Sequence, residues 1–224
     1  MKRPLNTSKT FPKKSLGQNF IHDRNFILKL NSLIMSNSFT HIFEIGPGLG
    51  ALTECLARKD FKKLFLIEKD DKLYKKLKVK FIDNKNILPV NCDALQYDYE
   101  RYSGNYKALI VGNLPFNISS QLLMRWIVDY EWPPFYSKMI LMFQKEVAER
   151  ILASHNQKIY GRISVITQAR CKVKKLLYAP ANIFFPKPRV DGVILEFTPM
   201  NKYINVNISN LQKIVRQSFE QRRK

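Results

Sequence analysis

Several shortages in the sequence exclude whole classes of chemistry. Cysteine occurs three times, as Cys55, Cys92 and Cys171; the number is odd, the spacing wide, and no CxxC pair is present. A disulfide framework and a cysteine zinc site are therefore not expected, and the thiols should stay reduced. His22, His41 and His155 share no metal-ligand spacing, so no metal is expected either. No stretch approaches the roughly 18 consecutive apolar residues that a bilayer span needs. The basic N-terminus also lacks the apolar core of an export signal. A soluble, cytoplasmic protein with no membrane partner is the expectation. Acidic residues are scarce as well: 18 Asp plus Glu stand against 38 Lys plus Arg, a formal charge of +20. A lysine-rich composition can drift upward without function, but drift toward lysine does not by itself remove acids. A polyanionic partner follows.

The excess charge gathers at the ends. Lys2, Arg3, Lys9, Lys13 and Lys14 precede the first acid, Asp23, and Lys213, Arg216, Arg222, Arg223 and Lys224 face only Glu220. Residues 1–14 mix Pro, Ser, Thr, Asn and Lys and read as a flexible basic arm. With 224 residues, 45% of them hydrophobic, the remainder can bury one sizeable core. The next apolar periodicity, FILKLNSLI, predicts a helix from about Asp23 to Met35. Short apolar runs then alternate with amphipathic stretches: HIFEIG, LFLIEKD, NILPVNCD, ALIVGN and MILMFQ as strands, with helices between them. Such alternation predicts an α/β fold with a mostly parallel sheet covered on both faces, and ligands at the carboxyl ends of its strands. CKVKKLLYAP and VDGVILEFTP add a late antiparallel pair at one edge. Residues 15–200 would be a catalytic domain, and 201–224, with LQKIVRQSFEQRRK, the start of a C-terminal helical region.

Three successive strand ends carry chemistry. EIGPGLG places Gly46, Gly48 and Gly50 between a strand and a helix, where glycine allows a tight turn and close approach of a ligand to the backbone. Glu68 ends the second strand, where a carboxylate can accept both hydroxyls of a ribose; this fits a nicotinamide enzyme as well as a methyltransferase. Asp93 follows the third strand and suits the exocyclic amine of an adenine. Taken singly, each carboxylate could be a helix cap or a surface charge, but the three in a row are hard to assign to chance.

The fourth strand ends in NLPF, residues 113–116. An adenine amino nitrogen is a poor nucleophile because its lone pair is delocalised into the ring. Acceptors beside its two hydrogens draw them out of plane and localise that pair. The Asn113 side-chain oxygen and the Leu114 carbonyl, set before a φ-locked Pro115, could be such acceptors, and the Phe116 ring could stack on the base. The electrophile would be the sulfonium methyl of S-adenosylmethionine, and no dedicated general base is needed before attack.

These motifs together resemble the bacterial dimethyladenosine transferase family that acts on small-subunit ribosomal RNA. SLGQNFIHD is similar to the family's N-terminal cofactor motif, EIGPGLGALTE to its glycine loop, and NLPFNISSQL to its adenine motif. MFQKEVAERI, YGRISV, FFPKPRVDG and QSFEQRRK follow in the family's order, so the resemblance runs from about Lys13 to Lys224. It implies a Rossmann-like S-adenosylmethionine-dependent methyltransferase fold. It also implies cofactor contacts at Asn19, Ile21, Gly46, Gly48, Glu68, Asp93 and Asn113. A second aromatic wall at Phe184 is implied too, with ordinary core packing of Phe184 as the alternative. The implied partner is 16S rRNA in small ribosomal subunit particles, the implied reaction dimethylation of N6 on two adjacent adenosines near its 3′ end, and the protein would act as a monomer.

Two departures stand out. The family usually has Tyr where this chain has Phe116, which keeps the ring and loses the hydroxyl. The family also continues past QRRK into a small helical domain. A large-subunit rRNA methyltransferase conferring antibiotic resistance shares the GQNF-like and NxPxNIS motifs, but YGRISV and QSFEQRRK look like the small-subunit family. A non-catalytic ribosome-assembly factor with a vestigial pocket is the rival from another class, against which stand Gly46, Glu68, Asp93 and Asn113.

Overall fold

A computed structural model describes residues 12–13, 16–34, 39–103, 108–201 and 206–220. Lys2, Arg3, Lys9, Lys14, Arg222, Arg223 and Lys224, and hence most of the expected basic arm, lie outside the described residues.

Strands with every residue buried must be covered on both faces. HIFEI and ALIVG, β2 (His41–Ile45) and β5 (Ala108–Gly112), are such strands, with His41 and Glu44 the polar residues among them. They pair in parallel at the centre of a seven-stranded sheet. Beyond β2 lie β3 (Lys63–Glu68) and β4 (Ile87–Asn91), both parallel to it. Pro89, which has no N–H to give, is tolerated because β4 is an edge strand. Beyond β5 comes β6 (Tyr136–Gln144), also parallel. The late pair, β7 (Cys171–Ala179) and β9 (Gly192–Pro199), is antiparallel as expected. β9 inserts between β6 and β7, so β7 forms the edge. Exposed Lys172, Lys174 and Lys175 on β7 blunt that edge against pairing with other chains.

Alternation along the strands sorts the core into two layers. Phe43, Ile45, Phe65, Ile67, Leu141 and Phe143 face one side, packed under α5 (Ser119–Val128), α6 (Lys145–Leu152) and α7 (Arg162–Arg170) through Leu122, Trp126, Ile151 and Ile166. Ile42, Leu64, Leu66, Val111 and Ile140 face the other. That side is closed by α1 (Arg24–Ile34), α2 (Ala51–Leu56) and α3 (Asp71–Lys80) through Leu30, Ile34, Leu56 and Leu77. α1 starts where the Asp23 carboxylate accepts the Phe26 N–H at 2.8 Å, close to the expected helix start at about Asp23. A short α4 (Glu100–Ser103) precedes β5. At the C-terminal end, α8 (Ile208–Glu220) buries Val215 against the body, and its Phe219 ring lies 6.4 Å from that of Tyr160.

Connections from β2 to β3 to β4 run outward on one side of β2, after which the chain returns to β5 on the other. Strand order therefore reverses between β2 and β5. In a doubly wound sheet the ligand crevice opens at such a reversal, outside the carboxyl ends of the strands. Two short strands not anticipated from sequence close that crevice from above. β1 (Phe20–Ile21) pairs antiparallel with β8 (Phe184–Phe185), matching Phe20 with Phe185 and Ile21 with Phe184.

Candidate active site

The crevice is a cavity of about 1040 Å³, and Asn19, Ile21, Gly46, Gly48, Glu68, Asp93, Asn113, Leu114, Pro115 and Phe116 all line it. That volume is at the upper end for small-molecule sites and leaves room for a nucleoside cofactor and a base together.

The glycine turn after β2 works through backbone geometry. Gly48 has φ +59°, and a Cβ there would stand 2.9 Å from the Phe20 ring. Only glycine lets β1 close down on the turn. The Gly48 N–H donates to Glu68 Oε2 at 3.2 Å, and the Asp70 N–H donates to Glu68 Oε1 at 2.9 Å. Glu68 is thus held in place at the end of β3 with 6% of its surface exposed. Burial raises its pKa, and the neighbouring Asp70 charge adds to this against the backbone N–H bonds from Asp70, Gly48 and Lys69. Each carboxylate oxygen retains lone pairs for the ribose hydroxyls of a nucleoside cofactor.

Glu44, at the start of the glycine motif, lines the same cavity and was given no role from sequence. It is 2% exposed, and the Thr53 hydroxyl donates to its Oε2 at 2.7 Å. Burial pushes its pKa up to about 7; the Thr53 bond opposes this, the Glu68 charge reinforces it, and Lys80 draws it back. Its place in EIGPGLG was the available signal, masked because a glutamate before a glycine turn reads as part of the strand.

Asp93 follows β4. Its Oδ1 accepts the Leu95 N–H at 2.9 Å and its Oδ2 pairs with Lys69 Nζ at 2.7 Å. Burial works against its charge, but Lys69 and that N–H outweigh it and hold the pKa below the ordinary value.

Asp70 was also unassigned from sequence, and it fastens the N-terminal segment across the cleft. Its Oδ1 caps α3 by accepting the Lys72 N–H at 2.9 Å. Its Oδ2 takes Lys13 Nζ at 2.9 Å and Gln18 Nε2 at 3.2 Å. The Gln18 side-chain oxygen in turn accepts the Lys13 N–H at 2.8 Å. Burial opposes the Asp70 charge, yet Lys13, Gln18 and the two helix N–H groups keep its pKa low.

On the far side of the switch point, the Asn113 side chain uses its NH₂ to donate to the Asn19 carbonyl at 2.8 Å. That bond orients the amide and leaves Oδ1 as the group with unspent capacity. Next to it the carbonyls divide by use. Pro115 O accepts the Ile118 N–H at 3.1 Å and Phe116 O accepts the Ser119 hydroxyl at 3.2 Å, whereas no hydrogen bond to Leu114 O forms among the described residues. Asn113 Oδ1 and Leu114 O, the groups singled out from sequence as amine acceptors, accept no hydrogen bond among the described residues.

Phe184 does not stand where the second wall was expected. It is 2% exposed and its ring belongs to the core layer under α1 and α2. Phe185, 61% exposed, lines the cavity instead. The reason is the alternation of β8: pairing with β1 turns one of two adjacent rings inward and the other outward.

Among the described residues no cluster of three His, Cys, Asp or Glu that could hold a metal is assembled, and no helix is long and apolar enough to cross a membrane.

A nucleoside-sized crevice at the switch point, with an antiparallel strand inserted beyond it, places the chain among S-adenosylmethionine-dependent methyltransferases, and solved structures agree. A dimethyladenosine transferase from Plasmodium falciparum superposes with a TM-score of 0.81 at 27% identity, over 92% of this chain and 72% of the other. The 23S rRNA methyltransferase ErmE shares the fold at a TM-score of 0.71 and 23% identity, over 90% of this chain and 79% of that one. The model of the ribosomal RNA adenine dimethylase family matches residues 10–224, and the chain belongs to that family. Among its relatives, the ribosomal RNA small subunit methyltransferase A of Pelagibacter ubique is 41% identical over 95% of this chain and 80% of its own length. That of Blochmanniella floridana is 40% identical over 94% and 78%.

Proposed function

We propose that this enzyme places two methyl groups on N6 of each of two adjacent adenosines near the 3′ end of 16S rRNA, acting as a monomer on small-subunit particles in the cytoplasm. The observation that carries the reading is the amide of Asn113, locked by the Asn19 carbonyl so that Oδ1 and the Leu114 carbonyl remain as a pair of acceptors at the mouth of β5.

S-adenosylmethionine supplies an electrophilic methyl on a sulfonium. Glu68 and the Gly48 backbone suit the ribose end of this donor, and Asp93 the amine of its adenine. Asn113 Oδ1 and Leu114 O accept the two N6 hydrogens of the target base, which localises the nitrogen lone pair and aims it at the methyl. Phe116, half-buried and against the core beside the cleft, offers a ring face to that base. Transfer would form the N–C bond as the donor's S–CH₃ bond breaks, its electron pair staying on sulfur as a neutral thioether, and the nitrogen, then cationic, would release a proton to solvent. The target must leave its stack to enter, as enzymes acting on bases generally require, and fixing it in line supplies the orientation term.

The test is transfer of labelled methyl from S-adenosylmethionine to small-subunit particles and, separately, to large-subunit RNA, with mapping of the modified base. Dimethyladenosine at two adjacent positions near the 3′ end of 16S rRNA is the expected result. Label in large-subunit RNA alone would replace this reading with the other substrate, and no label in either would leave an RNA-binding factor.

A further inference from the structure

We propose that Phe185 is a stacking platform for the base next to the target adenosine, so that the enzyme grips the RNA strand just outside the pocket. The inference rests on ribosomal RNA being the substrate. A phenylalanine ring 61% exposed on the rim of a cavity leaves its face open to whatever enters that cavity. Its setting argues for a base. The following turn, PKPR, carries exposed Lys187 and Arg189, and an aromatic face flanked by cations is how single-stranded nucleic acid is bound without hydrogen-bond readout. The support is firm. β8 is paired with β1. At the far end of the turn, Asp191 Oδ1 accepts the Ala181 N–H at 2.8 Å and its carbonyl accepts the Lys145 N–H at 2.9 Å. Exposure also separates this ring from the target base: a wall of the enclosed pocket would be largely buried, as Phe116 in part is. A ring this open stands at the mouth, where the neighbouring nucleotide must pass while the target is inside.

The experiment uses the full chain with S-adenosylmethionine. Phe185→Ala should raise KM for small-subunit particles about 5- to 100-fold, the loss of one stacked base, with kcat changing less and cofactor affinity not at all. Phe185→Trp should restore KM, and Phe185→Leu, apolar but not aromatic, should not. Binding of an RNA oligonucleotide with 2-aminopurine beside the target should quench its fluorescence in the wild type and much less in Phe185→Ala; the same probe at the target position should respond equally in both. An unchanged KM in Phe185→Ala, full rescue by Leu, or a quenching difference confined to the target position would overturn the proposal. Loss of cofactor affinity in Phe185→Ala would do so too, by showing that the ring only supports β1. The fluorescence measurement needs no turnover: if wild type binds and quenches but methylates nothing, the proposed reaction fails while the platform stands.

Discussion

The two sides of the cleft are built differently. On the side of β2 and β3, Glu44 and Glu68 are nearly buried, held by a hydroxyl and by backbone N–H groups, and rooted in strands with every neighbour paired. On the side of β1 and β8, two-residue strands, one ion pair and two side-chain amide bonds hold a strap whose outer ring faces water. Preorganised groups suit a cofactor that is the same at every turnover, because nothing need be ordered at the moment of binding. A strap with few contacts can adjust to a strand of RNA that must be threaded in and released. Asn113 joins the two sides, since its side chain holds the strap while its oxygen faces the chemistry.

Breaking that joint should have the largest effect. Asn113→Ala removes an acceptor for the amine and the strap's amide tie together, and kcat should fall on the order of 10²- to 10³-fold, as when one preorganised group is removed from a reacting centre. Asn113→Asp separates the two roles: it keeps an acceptor but cannot donate to the Asn19 carbonyl. It should be nearly as inactive if orientation by Asn19 matters. Near-full turnover in Asn113→Ala, measured with labelled donor on small-subunit particles, would remove Asn113 from the chemistry, whereas near-full turnover in Asn113→Asp would remove only the orienting bond to Asn19.

Glu44 tests the rigid side through pH. Its pKa in the fold is raised to about 7 from an ordinary 4.5, so the folded state binds its proton more tightly than the unfolded state does. The stabilising contribution is fully present below about 4.5 and is lost as pH rises through 7; above that the buried charge weighs against the fold by up to about 3 kcal/mol. Glu44→Gln keeps an acceptor for Thr53 and removes the charge. Thermal melts of the free enzyme should show the variant more stable than wild type at pH 8 and close to it at pH 5. Equal differences at both pH values would mean that Glu44 does not titrate there.

Glu68→Gln is expected to be milder. The amide keeps the shape of the side chain but loses the charge that strengthens bonds to ribose hydroxyls, worth about 1.5 to 3 kcal/mol for a charged acceptor. Calorimetry should show S-adenosylmethionine binding roughly 10- to 100-fold weaker. Unchanged affinity would move the ribose away from β3.

The same division explains what the sequence disclosed. Gly46, Glu68, Asp93 and Asn113 could be placed at the cleft from sequence because each ends or closely follows an apolar run, and the ends of parallel strands converge on one crevice whatever the details of packing. The antiparallel late pair was legible too, but the insertion of β9 between β6 and β7 was not, since strand order depends on long-range pairing. Phe184 and Phe185 are adjacent and identical, and which one faces the cleft is decided by β1, more than 160 residues earlier. Asp70 reads locally as a helix cap, which it is; its second role depends on Lys13 and Gln18, which local patterning cannot bring to it.

The smallest effect concerns that clamp. Lys13 is 43% exposed at its side chain while Asp70 is 3%, so the pair is worth at most the upper end of a surface ion pair, about 1 kcal/mol. Gln18 remains bound to Asp70 when Lys13 is removed. Lys13→Ala should therefore weaken cofactor binding by no more than about 5-fold at low salt, and the difference should shrink as salt rises. Removal of residues 1–11 makes the contrast, since it deletes Lys2, Arg3 and Lys9 and spares Lys13. If those three contact phosphates of single-stranded RNA, the slope of log affinity for RNA against log salt should flatten by up to about 2 units, at about 0.7 per charge. Cofactor affinity should then stay as it is. A clamp and an arm with separate duties require Lys13→Ala to act on the cofactor and the truncation to act on RNA. Cofactor binding that falls on truncation would instead make the arm part of the strap, and an untouched salt slope would move the phosphate contacts elsewhere, with exposed Lys172, Lys174 and Lys175 on β7 the next basic surface to test.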